Sequence, residues 1–174
     1  MLLKNYSKEI FRPECNPGFE SVHCIAHLEQ DISEVLPYLN AVLGGFEYLQ
    51  NPPAVILRSQ GKLITVHGDK IAINALRDET EADKILNWLK REINAAWGNR
   101  DSIEPCYEGA PKPKVIEILK LLPRTNCKEC GEPTCMVFAA QMAEGAKGPE
   151  DCSMLGAENK QRLEGYMSQF KFDV

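Results

Sequence analysis

No segment of this chain approaches the run of about 20 apolar residues that crosses a bilayer, and no cluster of lysine and arginine interleaved with aromatics occurs in it. The first absence argues against membrane insertion. The second, together with a net charge of −5, argues against nucleic acid as a partner, because a phosphate backbone is held by positive charge. Residues 1–6 offer too short an apolar stretch for a secretory leader, so a cytoplasmic location is expected. Also missing are G-x-S-x-G, the P-loop and H-E-x-x-H, and with them any named catalytic machinery. What the chain does have is 44% apolar and 26% charged residues over 174 positions. These are ordinary globular values, and a chain of this size buries roughly 70% of its unfolded surface without needing staples.

Residues 1–19 show no clear periodicity, and the stretch from Arg12 to Gly18 reads as turns. Between 20 and 28, Val22, Cys24, Ala26 and Leu28 alternate with His23, Ile25 and His27, which predicts a strand. A helical pattern begins at Asp31, with Ile32, Val35, Leu36, Leu39 and Val42 on one face. Asp31 and Glu34 have the spacing of a capping box. Pro37 predicts a kink or a restart there, and Gly44-Gly45 a stop. Residues 46–49 suit a short strand. Three more, at 54–58, 62–67 and 70–76, are joined by Ser59-Gln60-Gly61 and Gly68-Asp69 into an antiparallel meander.

The strongest helix spans 79–97, with Ala82, Ile85, Leu86, Leu89, Ile93 and Trp97 turned to a core and Gly98 ending it. This order predicts an α+β domain over residues 1–104, an antiparallel sheet with two packed helices. Pro105, Gly109 and Pro111 mark 105–112 as a linker. Residues 113–174 then predict a small helical metal-binding domain. Pro113 opens a helix carrying Val115, Ile116, Ile118, Leu119 and Leu122. A last helix, over 157–170, carries Leu163, Tyr166, Met167 and Phe170.

Seven cysteines is an odd number, and clustered cysteines in a reducing compartment read as metal ligands before disulfides. Cys127, Cys130, Cys135 and Cys152 follow the pattern C-x2-C-x4-C-x16-C. A [4Fe–4S] cube takes one thiolate at each of its four irons. Three close cysteines can wrap one side, and a distant fourth can close the other. Gly131 permits a tight path between Cys130 and Cys135. Pro133 sets a turn, and Thr134 can cap a helix over about 135–144. Cys135 would then sit at a helix start, where free N–H groups and the dipole favour an anionic site. Zinc is the alternative metal, although four-cysteine zinc sites commonly use two C-x2-C pairs. Met136, Val137, Phe138 and Met154 are apolar neighbours able to shield the site.

Residues 122–139, LPRTNCKECGEPTCMVFA, resemble the small Fe–S domain of the corrinoid iron–sulfur protein large subunit, and a similar domain in the B subunit of Rnf complexes. The resemblance covers about residues 113–155. It implies one low-potential [4Fe–4S] cluster held by Cys127, Cys130, Cys135 and Cys152. About twenty residues follow Cys152, so no corrinoid-binding domain is expected, and the membrane anchor of the Rnf subunit has no counterpart. The resemblance points to a soluble electron-transfer or redox-partner protein, with a corrinoid protein as one candidate partner. The alternatives are a metal-stabilised protein-binding module, with a cluster or zinc as a purely structural element, and an accessory subunit of a redox enzyme.

The remaining groups read as structural. Cys24 suits a small core position, and Cys15 and Cys106 read as free thiols in turns. His23 and His27 share a strand face without an acidic or cysteine partner nearby, and His67 reads as a surface residue. The acidic run Asp78-Glu79-Thr80-Glu81 fits a helix start rather than paired catalytic carboxylates.

Overall fold

Among the described residues the N-terminal part holds six strands: β1 (Tyr6–Phe11), β2 (Val22–Leu28), β3 (Glu47–Gln50), β4 (Pro53–Ser59), β5 (Lys62–His67) and β6 (Lys70–Leu76). The computed structural model describes residues 1–12, 20–170 and 172–174. All strand pairs are antiparallel, and the sheet order is β1-β2-β6-β5-β4-β3. Two helices pack on it, α1 (Leu36–Leu43) and α2 (Glu79–Gly98). Leu36 and Leu39 of α1 and Ala82, Leu86, Leu89 and Ile93 of α2 close over Cys24, Ala26, Val55, Leu57, Ile64, Val66, Ile71 and Ile73. The fold is α+β, with two helices on one antiparallel sheet, as the periodicities predict.

Local chemistry accounts for the element ends. The Asp78 carboxylate accepts the Glu81 N–H at 2.8 Å and caps α2, satisfying one donor that the first helical turn leaves open. Gly44, at φ 66°, ends α1 in the left-handed conformation, which glycine adopts without steric cost. Pro37 falls in the first turn of α1 after a 3-10 turn over Ser33–Val35, so the helix restarts there. Asp31 accepts the Ser33 N–H at 2.7 Å in place of the expected capping box.

Three details depart from expectation. β1 forms where no periodicity was visible, because the middle one of its three inward-facing residues, Tyr6, Lys8 and Ile10, is a lysine. Lys8 bonds Glu79 and Asp83 of α2, which hold its ammonium well above the usual lysine value. Val42, expected on the buried face of α1, is 49% exposed. Ile116, expected on the core face of the next helix, is likewise exposed.

The described contacts divide the chain into two units, residues 1–110 with 173–174, and residues 111–172. Residues 105–110 hydrogen-bond into the first unit: Cys106 N–H donates to Pro37 O at 3.0 Å and Ala110 N–H to Gly45 O at 2.8 Å. The second unit holds α3 (Val115–Leu121), α4 (Cys135–Ala143) and α5 (Ala157–Met167). These pack around Ile118, Leu122, Phe138, Ala139, Met142 and Leu163. Among the described residues no helix is long and apolar enough to cross a membrane.

Candidate metal centre

Between α3 and α4 the backbone follows no regular ladder. Arg124, Asn126, Lys128 and Gly131 have φ of 58°, 51°, 64° and 82°. For a non-glycine residue this conformation costs roughly 1–2 kcal/mol, so three of them in five positions need local compensation. Left-handed residues interspersed in a loop curl the backbone into concave turns, whose amides commonly surround phosphates and Fe–S sites. Gly131 N–H closes one such turn on Lys128 O at 3.0 Å.

Three side chains fix the loop. Asn126 Oδ1 accepts the Cys135 N–H at 2.8 Å, across nine residues. Thr134 Oγ1 accepts the Val137 N–H at 3.2 Å and caps α4, which starts at Cys135 as its sequence predicts. The amide of Cys135 is therefore engaged by Asn126 rather than free, a correction to the expected open helix start. Lys147 Nζ donates to Cys130 O at 2.9 Å, contacts the Glu132 carboxylate at 2.9 Å, and lies 5.6 Å from the Phe138 ring centroid. Further on, the Asp151 carboxylate accepts the Gly148 N–H at 2.8 Å. It thereby shapes the 3-10 turn over Pro149–Asp151 that delivers Cys152.

These devices place Cys127, Cys130, Cys135 and Cys152 on the wall of one recess, with Leu122, Phe138 and Met154 beside them. All four are free thiols. Cys130, Cys135 and Cys152 are half-buried against the second core, while Cys127 is exposed. Burial pushes the Cys152 thiol up from its ordinary value, and Cys130, Cys135 and Cys127 add to the rise through their charges, against a backbone hydrogen bond at Met154 that lowers it. Four thiolates lining one recess would repel one another, and a bound iron cluster would compensate their charge. The donor set, four sulfurs around a concave loop, fits an iron–sulfur cluster. Among the described residues, no three His, Cys, Asp or Glu side chains converge as a single metal ion requires.

The other candidate groups stand elsewhere. Cys15 lies outside the described residues. Cys24 is fully buried in the first core, and Cys106 Sγ lies 3.4 Å from Glu108 O. The His23 ring stands 5.7 Å from that of Phe11, and His27 is exposed. Burial, then Lys70, holds His67 below the usual imidazole value, so it is not the freely solvated residue expected. Asn126, Glu132 and Lys147 escaped sequence reasoning. No periodic or motif signal links Asn126 to Cys135 or Lys147 to Cys130, since both contacts depend on the path of the loop.

Residues 122–154 match the family described as "Putative Fe-S cluster". Over 45 residues the chain is 49% identical to the acetyl-CoA decarbonylase/synthase complex subunit gamma 1 of Methanosarcina thermophila, covering 26% of this chain and 10% of that protein. It is 36% identical over 53 residues to subunit gamma of that complex from Methanothermobacter thermautotrophicus, 30% of this chain and 12% of that protein. It is also 39% identical over 49 residues to the corrinoid/iron-sulfur protein large subunit of Moorella thermoacetica, 28% of this chain and 11% of that protein. The chain thus spans about a tenth of the length of these relatives. No solved structure matches it. The C-terminal segment carries an iron–sulfur domain, with homology to both relative types.

Proposed function

We propose that Cys127, Cys130, Cys135 and Cys152 ligate one [4Fe–4S] cluster, and that the chain passes single electrons to a protein partner. The supporting observation is one recess walled by four free thiols on a loop of left-handed turns. Once bound, the cluster supplies a one-electron couple. The protein's own residues do the rest. Leu122 and Phe138 keep water from the inner side, Asn126 and Thr134 hold the start of α4, and the Pro149–Asp151 turn presents the fourth sulfur. Cys127 stands exposed and Met154, also in the recess wall, is 54% exposed, which favours electron exchange from that side.

The relatives named above are subunits of a complex and of a corrinoid/iron-sulfur protein. A protein partner is therefore the fitting role for this chain, with a corrinoid protein the first to try. The test begins with chain purified without oxygen. We expect about four irons and four sulfides per chain and an EPR signal on reduction. Serine replacements at each of the four cysteines should lower the iron content, while Cys106→Ser should leave it unchanged. One zinc and no sulfide would sink the proposal.

A further inference from the structure

We infer that Lys147 and Glu132 form a charge-compensated pair at the C-terminal metal site whose two members act on its reduction potential in opposite directions; this deepens the function proposed above and rests on it. Lys147 lies in the segment after α4, and its ammonium reaches back to the backbone carbonyl of Cys130 at 2.9 Å. The same Nζ sits 2.9 Å from the Glu132 carboxylate. Both side chains are partly withdrawn from water, 22% and 15% exposed, and the Phe138 ring centroid lies 5.6 Å from the lysine Nζ. Glu132 itself lines the recess that the four thiols share.

Charges withdrawn from water interact far more strongly than solvated ones. Reduction adds one negative charge to the site. The ammonium stabilises that charge and the carboxylate opposes it. As a pair they nearly cancel, so losing either one alone shifts the potential. Removing Lys147 leaves an uncompensated carboxylate on the recess wall, which makes reduction harder. Removing Glu132 leaves the ammonium bonded to a ligand residue with Asp151 as a weaker remaining counter-charge, which makes reduction easier. A brace with only a mechanical role gives no such opposition of sign.

The experiment is an anaerobic redox titration of the full chain, followed by EPR, with iron and sulfide counted in every sample. For Lys147→Met we expect the reduced-to-oxidised ratio at fixed ambient potential to fall about tenfold, or about 59 mV for a one-electron couple. Glu132→Gln should raise the ratio by a similar factor. The double variant should return to within about threefold of the unmodified chain, and Lys147→Arg should stay near it. Single variants that leave the potential unmoved, or move it in the same direction, overturn the inference. So does loss of iron in Lys147→Met combined with an unmoved potential in Glu132→Gln, which marks a mechanical role alone. An unmodified chain without iron and sulfide defeats the underlying site assignment as well, and the first count separates that failure from the other.

Discussion

Asn126 does two things that few residues can do together. Its backbone sits at φ 51°, a conformation that asparagine tolerates better than other side chains apart from glycine. Its side chain also ties the loop to the first amide of α4. Alanine at this position loses the hydrogen bond and keeps the strain, a cost of about 1–2 kcal/mol. We expect Asn126→Ala to release iron to a chelator about tenfold faster under anaerobic conditions, a factor equivalent to about 1.4 kcal/mol. Asn126→Gly should fall between alanine and the unmodified chain, because it relieves the strain without restoring the bond. Equal release rates in all three proteins would remove Asn126 from the site. The role of Thr134 was legible in the sequence because a helix cap acts over three residues. That of Asn126 was not, since its reach across nine residues exists only once the chain has turned left-handed.

Among elements, the corner between α1 and β3 shows how a segment rich in proline and glycine is held. Asn40, 2% exposed, donates to Cys106 O at 2.9 Å and to Glu108 O at 2.8 Å, while its Oδ1 accepts the Gly45 N–H at 3.1 Å. One amide thus satisfies three backbone groups and anchors residues 106–108 to the first unit. A Cβ on Gly45 would come within 2.5 Å of Asn40 Oδ1 and 2.8 Å of Val55 Cγ1, so glycine is required there by close approach. Asn40→Leu strands these polar groups, at a cost of about 1–3 kcal/mol. A urea titration of the full chain, followed by the circular dichroism of the sheet, should show the midpoint fall. An unchanged midpoint would mean that water replaces the amide at no cost.

The strands β4 to β6 and helix α2 could be read from periodicity because each buries one uniform apolar face. β1 could not, since Lys8 interrupts the inward-facing Tyr6 and Ile10, and its charge is matched by Glu79 and Asp83 on a helix far along the sequence.

At the scale of the whole chain, two cores of unequal size lie in one sequence. The first unit gathers residues from the sheet, α1 and α2 into a continuous apolar interior. The second, residues 111–172, closes on Ile118, Leu122, Phe138, Ala139, Met142, Ala143 and Leu163, two of which are alanines. An apolar core in a unit of that length rarely supplies more than about 3–5 kcal/mol, and structural metal sites contribute about 10 kcal/mol or more in small domains. Three of the four cysteines pack directly against this small core, so a metal held by them, as proposed, would support the packing. Stripping the iron with a chelator and an oxidant should therefore act on one unit only. Hydrogen exchange on the full chain, read segment by segment before and after stripping, should show α3, α4 and α5 losing protection. The strands and α2 should keep theirs, because nothing in their core depends on a thiolate. Unchanged protection across residues 115–167 would mean that the second unit folds without its metal, leaving the cluster a redox role with no part in holding the unit together.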